Sequence, residues 1–196
     1  MSDKKERLLT PIGFAKWAHV HTPRAAFDEK EKPKYQIDVC FSSTDPAWIV
    51  FAKDIMARLA ELPAKIDRAT GEKVKHRSPI KRELNKDDSP TGRHCVSFKT
   101  GEQFKPNVFD KYGKPLPESD LIGNESKVRV SYTPAPYEGF GGGVTLYLNA
   151  VQVLELVPYQ KQTAAAYGFE SEASPPEQEA PPERDPFGDD SMERMR

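Results

Sequence analysis

Aromatic and cationic residues stand side by side at several points in the sequence. The pairs are Lys16-Trp17, Lys34-Tyr35, Phe98-Lys99 and Phe104-Lys105, and Lys127 and Arg129 precede Tyr132 in the same way. Unpaired bases stack on aromatic faces, and lysine and arginine bind phosphates. The pattern therefore indicates a surface for single-stranded nucleic acid, although some of these aromatic residues must also supply a core.

Side chains that point away from the core are the candidates for this surface. Tyr35, Phe98 and Tyr132 fall on strand faces that we expect to be buried. The candidate stacking platforms are Trp17, Phe109 and Tyr147. The candidate phosphate contacts are Lys16, Lys34, Arg93, Lys99, Lys105, Lys127 and Arg129. Each stacked base would contribute about 1–3 kcal/mol without sequence readout.

No arrangement of residues in the sequence predicts catalysis. The glycines at 139 and 141–143 precede a predicted strand, not a helix, and no Lys-Ser/Thr follows them, unlike a phosphate-binding loop. His19 and His21 share a strand face and His94 adjoins Cys95, but structural zinc sites show paired ligands twice over. We therefore predict a non-enzymatic protein with no catalytic residues, no metal and no cofactor.

The net charge of −1 conceals a segregation of the two signs. Residues 169–196 carry nine acidic and three basic side chains, a net −6, which leaves +5 on residues 1–168. Residues 63–106 contain eleven basic and six acidic side chains, so they carry the same net charge of +5 as residues 1–168. A basic body with an acidic tail suits a polyanion binder with an internal competitor. A tail that only improves solubility explains the charges equally well.

The cysteines and the N-terminus indicate the cellular compartment in which we expect the protein. Residues 1–7 are charged and lack the apolar core of a signal peptide. The sequence also lacks an apolar stretch of about 18 residues, so we expect no membrane span. We therefore expect Cys40 and Cys95 to be reduced thiols in a cytoplasmic protein.

Hydrophobic periodicity predicts the elements that carry these residues. Alternation predicts strands over residues 8–20, 34–41, 93–99, 104–109, 127–132 and 144–156. Asp45 and Pro46 predict the start of one helix, which ends before Pro63 and packs on the sheet. From residue 63 a long loop is expected, and residues 136–143 read as a flexible hairpin connection.

This set of elements predicts a mostly β fold. We expect an OB-like, partly closed five-stranded barrel with one packed α-helix over residues 1–160. Residues 161–196 are rich in Ala, Ser, Pro and Glu, and they predict a disordered acidic C-terminal tail.

The order of motifs resembles the single-stranded DNA-binding proteins of tailed phages. The likeness extends from the first strand to Leu156 and is strongest in two regions. One is residues 35–41 with Asp45-Pro46 and the helix. The other comprises Asp110-Lys-Tyr-Gly-Lys114, Leu121-Ile-Gly123, residues 126–132, Pro136-Tyr137 and Val153-Leu-Glu-Leu156.

The resemblance implies an OB barrel that coats single-stranded DNA during phage replication and recombination, in the host cytoplasm. It also implies a tail that occupies the DNA groove, mediates dimerisation, or contacts the phage DNA polymerase and helicase–primase. Family tails end on acidic residues and an aromatic, whereas here that element is internal. The candidate partner-binding residues are Asp185, Phe187, Asp189 and Asp190.

Two other functions fit the same residues. The barrel could be a protein-interaction adaptor in which Trp17 and Phe109 anchor a polypeptide. It could also bind RNA, since stacking and phosphate contacts do not distinguish RNA from DNA without a contact to the 2′-hydroxyl.

Overall fold

The computed structural model describes residues 6–25, 32–66 and 71–159. Its elements in chain order are β1 (Leu8–Leu9), β2 (Gly13–Arg24), β3 (Lys34–Ser42), α1 (Pro46–Ala60), β4 (Lys65–Ile66), β5 (Lys73–Val74), β6 (Ile80–Leu84), β7 (Pro90–Gly101), β8 (Asn107–Phe109), β9 (Lys127–Tyr137) and β10 (Gly143–Glu155). A turn of 3-10 helix, Gly139–Gly141, joins β9 to β10. Within these ranges no helix is both long and apolar enough to cross a membrane.

The five long strands close on one another as a barrel. They pair in the order β9, β2, β3, β7 and β10, and β10 pairs again with β9. The β7–β10 pairing is parallel, whereas the other four pairings of the ring are antiparallel. This arrangement confirms the predicted OB-like fold.

Three short strands extend the sheet beyond these five. β1 pairs with β9, β6 with β7, and β8 with β10, while β4 and β5 form a separate two-stranded sheet. The sequence did not predict β4, β5 or β6, because residues 63–92 are rich in charge and lack regular alternation. The predicted strand over residues 8–20 is divided into β1 and β2.

Alternating apolar side chains fill the barrel, as the period-two pattern predicted. One side chain in two on β3, β9 and β10 lies in the core. These buried residues are Tyr35, Ile37, Val39, Phe41, Val128, Val130, Tyr132, Val144, Leu146, Leu148, Val151 and Val153. The alternate residues of these strands are left on the outer face of the barrel.

Helix α1 packs its apolar face on the barrel. Asp45 caps the helix, because its Oδ1 accepts a hydrogen bond of 2.9 Å from the Ala47 N–H. The buried face consists of Trp48, Phe51, Ile55 and Leu59. The Phe51 ring lies 5.6 Å from that of Phe41 and 5.8 Å from that of Tyr132. Aromatic packing thus joins the helix to the barrel core.

The expectation of two reduced thiols is wrong for this structure. Cys40 on β3 and Cys95 on β7 are directly opposite in the antiparallel register, and their sulfur atoms form a disulfide. The spacing of the two cysteines did not indicate this pairing, because they lie 55 positions apart and only the strand register brings them together.

Candidate nucleic-acid interface

Trp17 occupies a β-bulge in β2. Lys16 pairs with Asp38 and His19 with Gln36, so β2 has one more residue than β3 between these pairs. The extra residue permits a positive φ of 50° at Trp17, and the Asn124 side chain accepts a hydrogen bond of 3.1 Å from the Trp17 N–H. The bulge leaves the Trp17 side chain 63% exposed.

Trp17 borders a cavity of about 360 Å³, which we call the tryptophan cavity. Its lining residues are Trp17, Ala18, His19, Val20, His21, Thr22, Leu121, Ile122, Asn124 and Tyr159. Tyr159 is exposed, and its N–H donates a hydrogen bond of 3.2 Å to the Leu121 carbonyl. Two aromatic side chains therefore stand at one cavity, and the sequence analysis had selected only Trp17.

The two histidines of this cavity favour the neutral form. Burial is the main cause that lowers the pKa of His19, and the positive charge of Arg24 adds to it. Burial also lowers the pKa of His21, against the smaller opposing effect of Glu118. The Nε2 atom of His21 is buried without a hydrogen-bond partner among the described residues. Neutral imidazoles make this cavity less cationic than its composition suggests.

The glycine-rich turn between β9 and β10 receives the basic segment that follows β5. The Arg77 N–H donates a hydrogen bond of 2.9 Å to the Gly142 carbonyl, and His76 Nδ1 lies 3.2 Å from the Gly141 oxygen. A Cβ atom on Gly143 would lie 2.5 Å from the Arg77 carbonyl oxygen. The glycines, which we expected to form a flexible connection, thus allow two backbones to approach closely and fix the position of Arg77.

Arg77 lies in a second concavity, of about 520 Å³, which we call the basic groove. Its lining residues are Arg77, Ser78, Pro79, Lys81, Ser97, Lys99, Tyr137, Val144, Thr145, Leu146 and Tyr147. Three of these residues are cationic and two are tyrosines, and none of the lining residues in the described ranges carries a carboxylate. The groove therefore combines the two features that single-stranded nucleic acid requires.

The strand register connects the basic groove to the tryptophan cavity. His19 pairs with Gln36, Gln36 with Lys99, and Lys99 with Tyr147. Paired residues project to the same side of a sheet, so these four side chains form one row on the outer face. Neighbouring strands lie about 4.8 Å apart, so the row spans about 14 Å.

The structure brings two of the predicted contacts together in this groove. Lys99 and Tyr147 are register partners, and Tyr147 is 46% exposed. Sequence reasoning missed Arg77, Lys81 and Tyr137, which line the same groove. The excess of positive charge on residues 63–106 was the signal for Arg77 and Lys81, but it did not single them out.

Four predicted cations instead contact carboxylates of the chain itself. Lys16 pairs with Glu83 and Lys105 with Glu118. Arg93 donates to both oxygens of Glu125 at 2.8 and 3.0 Å and lies over the Phe14 ring, and Lys127 lies 2.8 Å from Glu155. A phosphate would have to displace these carboxylates in order to reach the four cations.

The remaining predicted residues lie elsewhere. Phe109 and Arg129 border a third concavity, of about 350 Å³, together with Leu9 and Gln152. The Arg129 Nε is buried without a hydrogen-bond partner among the described residues. Lys34 is exposed at the start of β3. Asp185, Phe187, Asp189 and Asp190 lie outside the described residues.

Known proteins resemble this chain in sequence and in fold. No protein-family model matches the sequence. The chain is 24% identical over 183 residues to the single-stranded DNA-binding protein of Enterobacteria phage T3, and the match covers 80% of this chain and 78% of the phage protein.

Two solved structures share the fold. The single-stranded DNA-binding protein encoded by bacteriophage T7 superimposes with a TM-score of 0.59 at 20% identity, over 87% of this chain and 97% of the T7 chain. The single-stranded DNA-binding protein of bacteriophage Enc34, in complex with single-stranded DNA, gives a TM-score of 0.58 at 19% identity, over 79% of this chain and 89% of the Enc34 chain. The resemblance to phage single-stranded DNA-binding proteins that the sequence predicted is therefore confirmed, and the fold of this chain is the one that those proteins share.

Proposed function

We propose that the chain binds single-stranded DNA on the outer face of its barrel. The observation that carries the proposal is the row of side chains from His19 to Tyr147, which links an exposed tryptophan to a groove of three cations. The similarity to the phage T3 protein and the fold shared with the Enc34 protein support the same function.

In this proposal some residues contact the phosphates of the DNA and others contact its bases. Arg77, Lys81 and Lys99 line the groove and contact phosphates, which makes binding salt-dependent. Trp17 and Tyr147 offer aromatic faces on which bases stack without regard to sequence. The bound DNA strand therefore crosses β2, β3, β7 and β10 roughly perpendicular to them.

Residues 1–160 form the binding domain in this proposal, and the chain acts by binding and not by catalysis. The acidic residues 161–196 compete with DNA for the cations and recruit replication partners through Asp185, Phe187, Asp189 and Asp190. The phage DNA polymerase and helicase–primase are the proposed partners, and a homodimer is a further proposed assembly. The charge of −6 on residues 169–196 supports the competition.

Fluorescence anisotropy of a labelled oligonucleotide, titrated with the full-length protein over a salt series, tests the proposal. Unlabelled single-stranded DNA, duplex DNA and RNA are the competitors. We expect single-stranded DNA to compete best and the affinity to fall steeply with salt. Preferential competition by RNA would reassign the site to RNA. Absence of binding to every nucleic acid at low salt would refute the proposal and leave the adaptor function.

A further inference from the structure

Two cysteines and one carboxylate meet on the outer face of the barrel beside the basic groove. Cys40 and Cys95 are register partners on β3 and β7, and Cys95 is also the partner of Lys81 on β6. The sulfur atoms of the two cysteines and a carboxylate oxygen of Glu83 all lie within 4.8 Å of one another.

Glu83 is unusually enclosed for a carboxylate on an outer face. Its side chain is only 10% exposed, and it contacts Lys16 and accepts a hydrogen bond of 2.9 Å from the Thr91 hydroxyl. The chain thus holds a carboxylate next to two sulfur atoms.

We propose that Cys40, Cys95 and Glu83 bind a thiophilic divalent cation, of which Zn²⁺ is the type, when the disulfide is reduced. Thiolate sulfur and carboxylate oxygen are both zinc ligands, with bond lengths of about 2.3 and about 2.0–2.2 Å. Two ligands of one tetrahedral zinc ion consequently lie about 3.5–4 Å apart. The Glu83 oxygen already lies within 4.8 Å of both sulfur atoms, and the sulfur atoms, which are bonded in this structure, must move apart after reduction to reach this spacing.

Reduction is the first step, and a dithiol reductant supplies it. The Cys40–Cys95 bond breaks and takes up two electrons and two protons, while the reductant becomes a disulfide. The cation then replaces the two thiol protons, which go to solvent, and two metal–sulfur bonds and one metal–oxygen bond form. Lys16 leaves Glu83 in this step, and water completes the coordination.

The strand pairing keeps the two thiols opposed after reduction. β3 and β7 are paired without interruption from Lys34 and Gly101 to Ser42 and Arg93, so their alignment does not depend on the disulfide. Cys40 is fully buried and Glu83 is nearly so, which limits competition by bulk water. The cation site does not require that the chain bind DNA.

Cobalt titration of the full-length protein tests the inference. The protein is reduced with dithiothreitol, freed of reductant under anaerobic conditions and titrated with Co²⁺. We expect a thiolate-to-cobalt charge-transfer band and the visible bands of tetrahedral cobalt, saturating at one ion per chain, and Zn²⁺ should abolish both. The oxidised protein should give neither band.

Two variants assign the ligands. The reduced double variant C40S/C95S should lose the charge-transfer band, and Glu83→Gln should bind Co²⁺ at least about tenfold more weakly, as the loss of a ligand or of its support does elsewhere. Glu125→Gln is the matched control. It removes another surface carboxylate that pairs with a basic side chain, and it should leave the cobalt affinity unchanged. Circular dichroism before and after reduction verifies the fold.

Three results would overturn the inference. One is a folded, reduced protein without the charge-transfer band. Another is equal cobalt affinity in Glu83→Gln and the unaltered protein. The third is loss of the folded state on reduction.

Discussion

Lys99 and Tyr147 lie directly opposite each other, a cation beside an exposed ring. Their pairing joins β7 to β10 in parallel, where the barrel closes. Lys99 also pairs with Gln36 and Tyr147 with Thr133 in long antiparallel registers, so regular backbone pairing holds both side chains. A base that stacks on Tyr147 would place its phosphate within reach of Lys99. This pair is therefore the centre of the proposed site.

Replacement of Tyr147 by leucine should weaken single-stranded DNA binding by about 1–3 kcal/mol, the contribution of one stacked base. Leucine keeps an apolar side chain on the strand but removes the aromatic face. Anisotropy titration at fixed salt measures the loss. Tyr112→Leu is the matched control, because Tyr112 is also exposed but lies outside the groove. Equal affinities for Tyr147→Leu and the unaltered protein would exclude stacking at this ring.

Replacement of Lys99 by glutamine should change the salt dependence of binding as well as the affinity. Each phosphate contact contributes about −0.7 to the slope of log K against log salt for single strands, so the slope should become shallower by about that amount. Lys111→Gln, outside the groove, serves as the control. A parallel salt dependence for Lys99→Gln and the unaltered protein would show that Lys99 contacts no phosphate.

The lowered pKa of His21 should make the folded state less stable at mildly acidic pH. Burial lowers its pKa below 6.5 in the folded state, so below that pH the unfolded chain binds a proton that the folded chain resists. Stability is therefore complete above the unfolded pKa and falls as the pH drops towards the folded one. Urea midpoints should decrease between about pH 7.5 and about pH 5.5.

The variant His21→Gln should reduce that decrease without abolishing it, because the pKa of His19 is lowered as well. A comparison between about pH 7.5 and about pH 8.5 is the control, since neutral histidines do not titrate there. An unchanged pH dependence in His21→Gln would contradict the assignment.

At the scale of elements, the alternation of apolar residues and the helix cap were sufficient to predict the regular parts of the fold. Strict alternation predicted β3, and Asp45-Pro46 predicted the start of α1. The bulge at Trp17 could not be predicted, because it depends on the register against β3. Strand β6 could not be predicted either, because pairing with β7, not its own weak pattern, stabilises it.

The sequence indicated which types of residue form the candidate site, but it did not indicate where all of them lie in the fold. The exposure of Tyr147 followed from its strand position, whereas that of Trp17 depends on the bulge. The contacts of Lys16, Arg93, Lys105 and Lys127 with carboxylates depend on distant segments of the chain, so composition could not show them. The opposed positions of Cys40 and Cys95 likewise depend on register.

Alanine at Gly143 should separate the glycine-rich turn from the basic segment. The new methyl group would lie 2.5 Å from the Arg77 carbonyl oxygen, and such overpacking costs about 1–3 kcal/mol of unfolding free energy. Urea denaturation measures that loss, and DNA binding should weaken as Arg77 moves. Gly139→Ala in the same turn is the control, because nothing lies within 4 Å of the added carbon. Equal stability of both variants would contradict the packing argument.

At the scale of the whole molecule, opposite charges are carried by different parts of the chain. In full-length protein, replacing Asp185, Asp189 and Asp190 by asparagine should tighten single-stranded DNA binding, since a competitor of the phosphates is weakened. Anisotropy titration measures the change. The gain should shrink as salt screens the charges, which separates competition from a change in the groove itself. Unchanged affinity at low salt would mean that these three carboxylates do not compete.

The four carboxylates that pair with Lys16, Arg93, Lys105 and Lys127 have a consequence for how binding is measured. They behave as counterions fixed to the protein. When a phosphate replaces one of them, the cation that leaves the DNA is offset by a cation taken up at the freed carboxylate, so the net release of mobile ions is small. Exposed ion pairs contribute about 0–1 kcal/mol each, so the exchange is inexpensive at Arg93, Lys105 and Lys127, whose pairs are exposed. A salt titration would then undercount the contacts: four such exchanges would leave the slope about 3 units shallower than the number of bound phosphates implies.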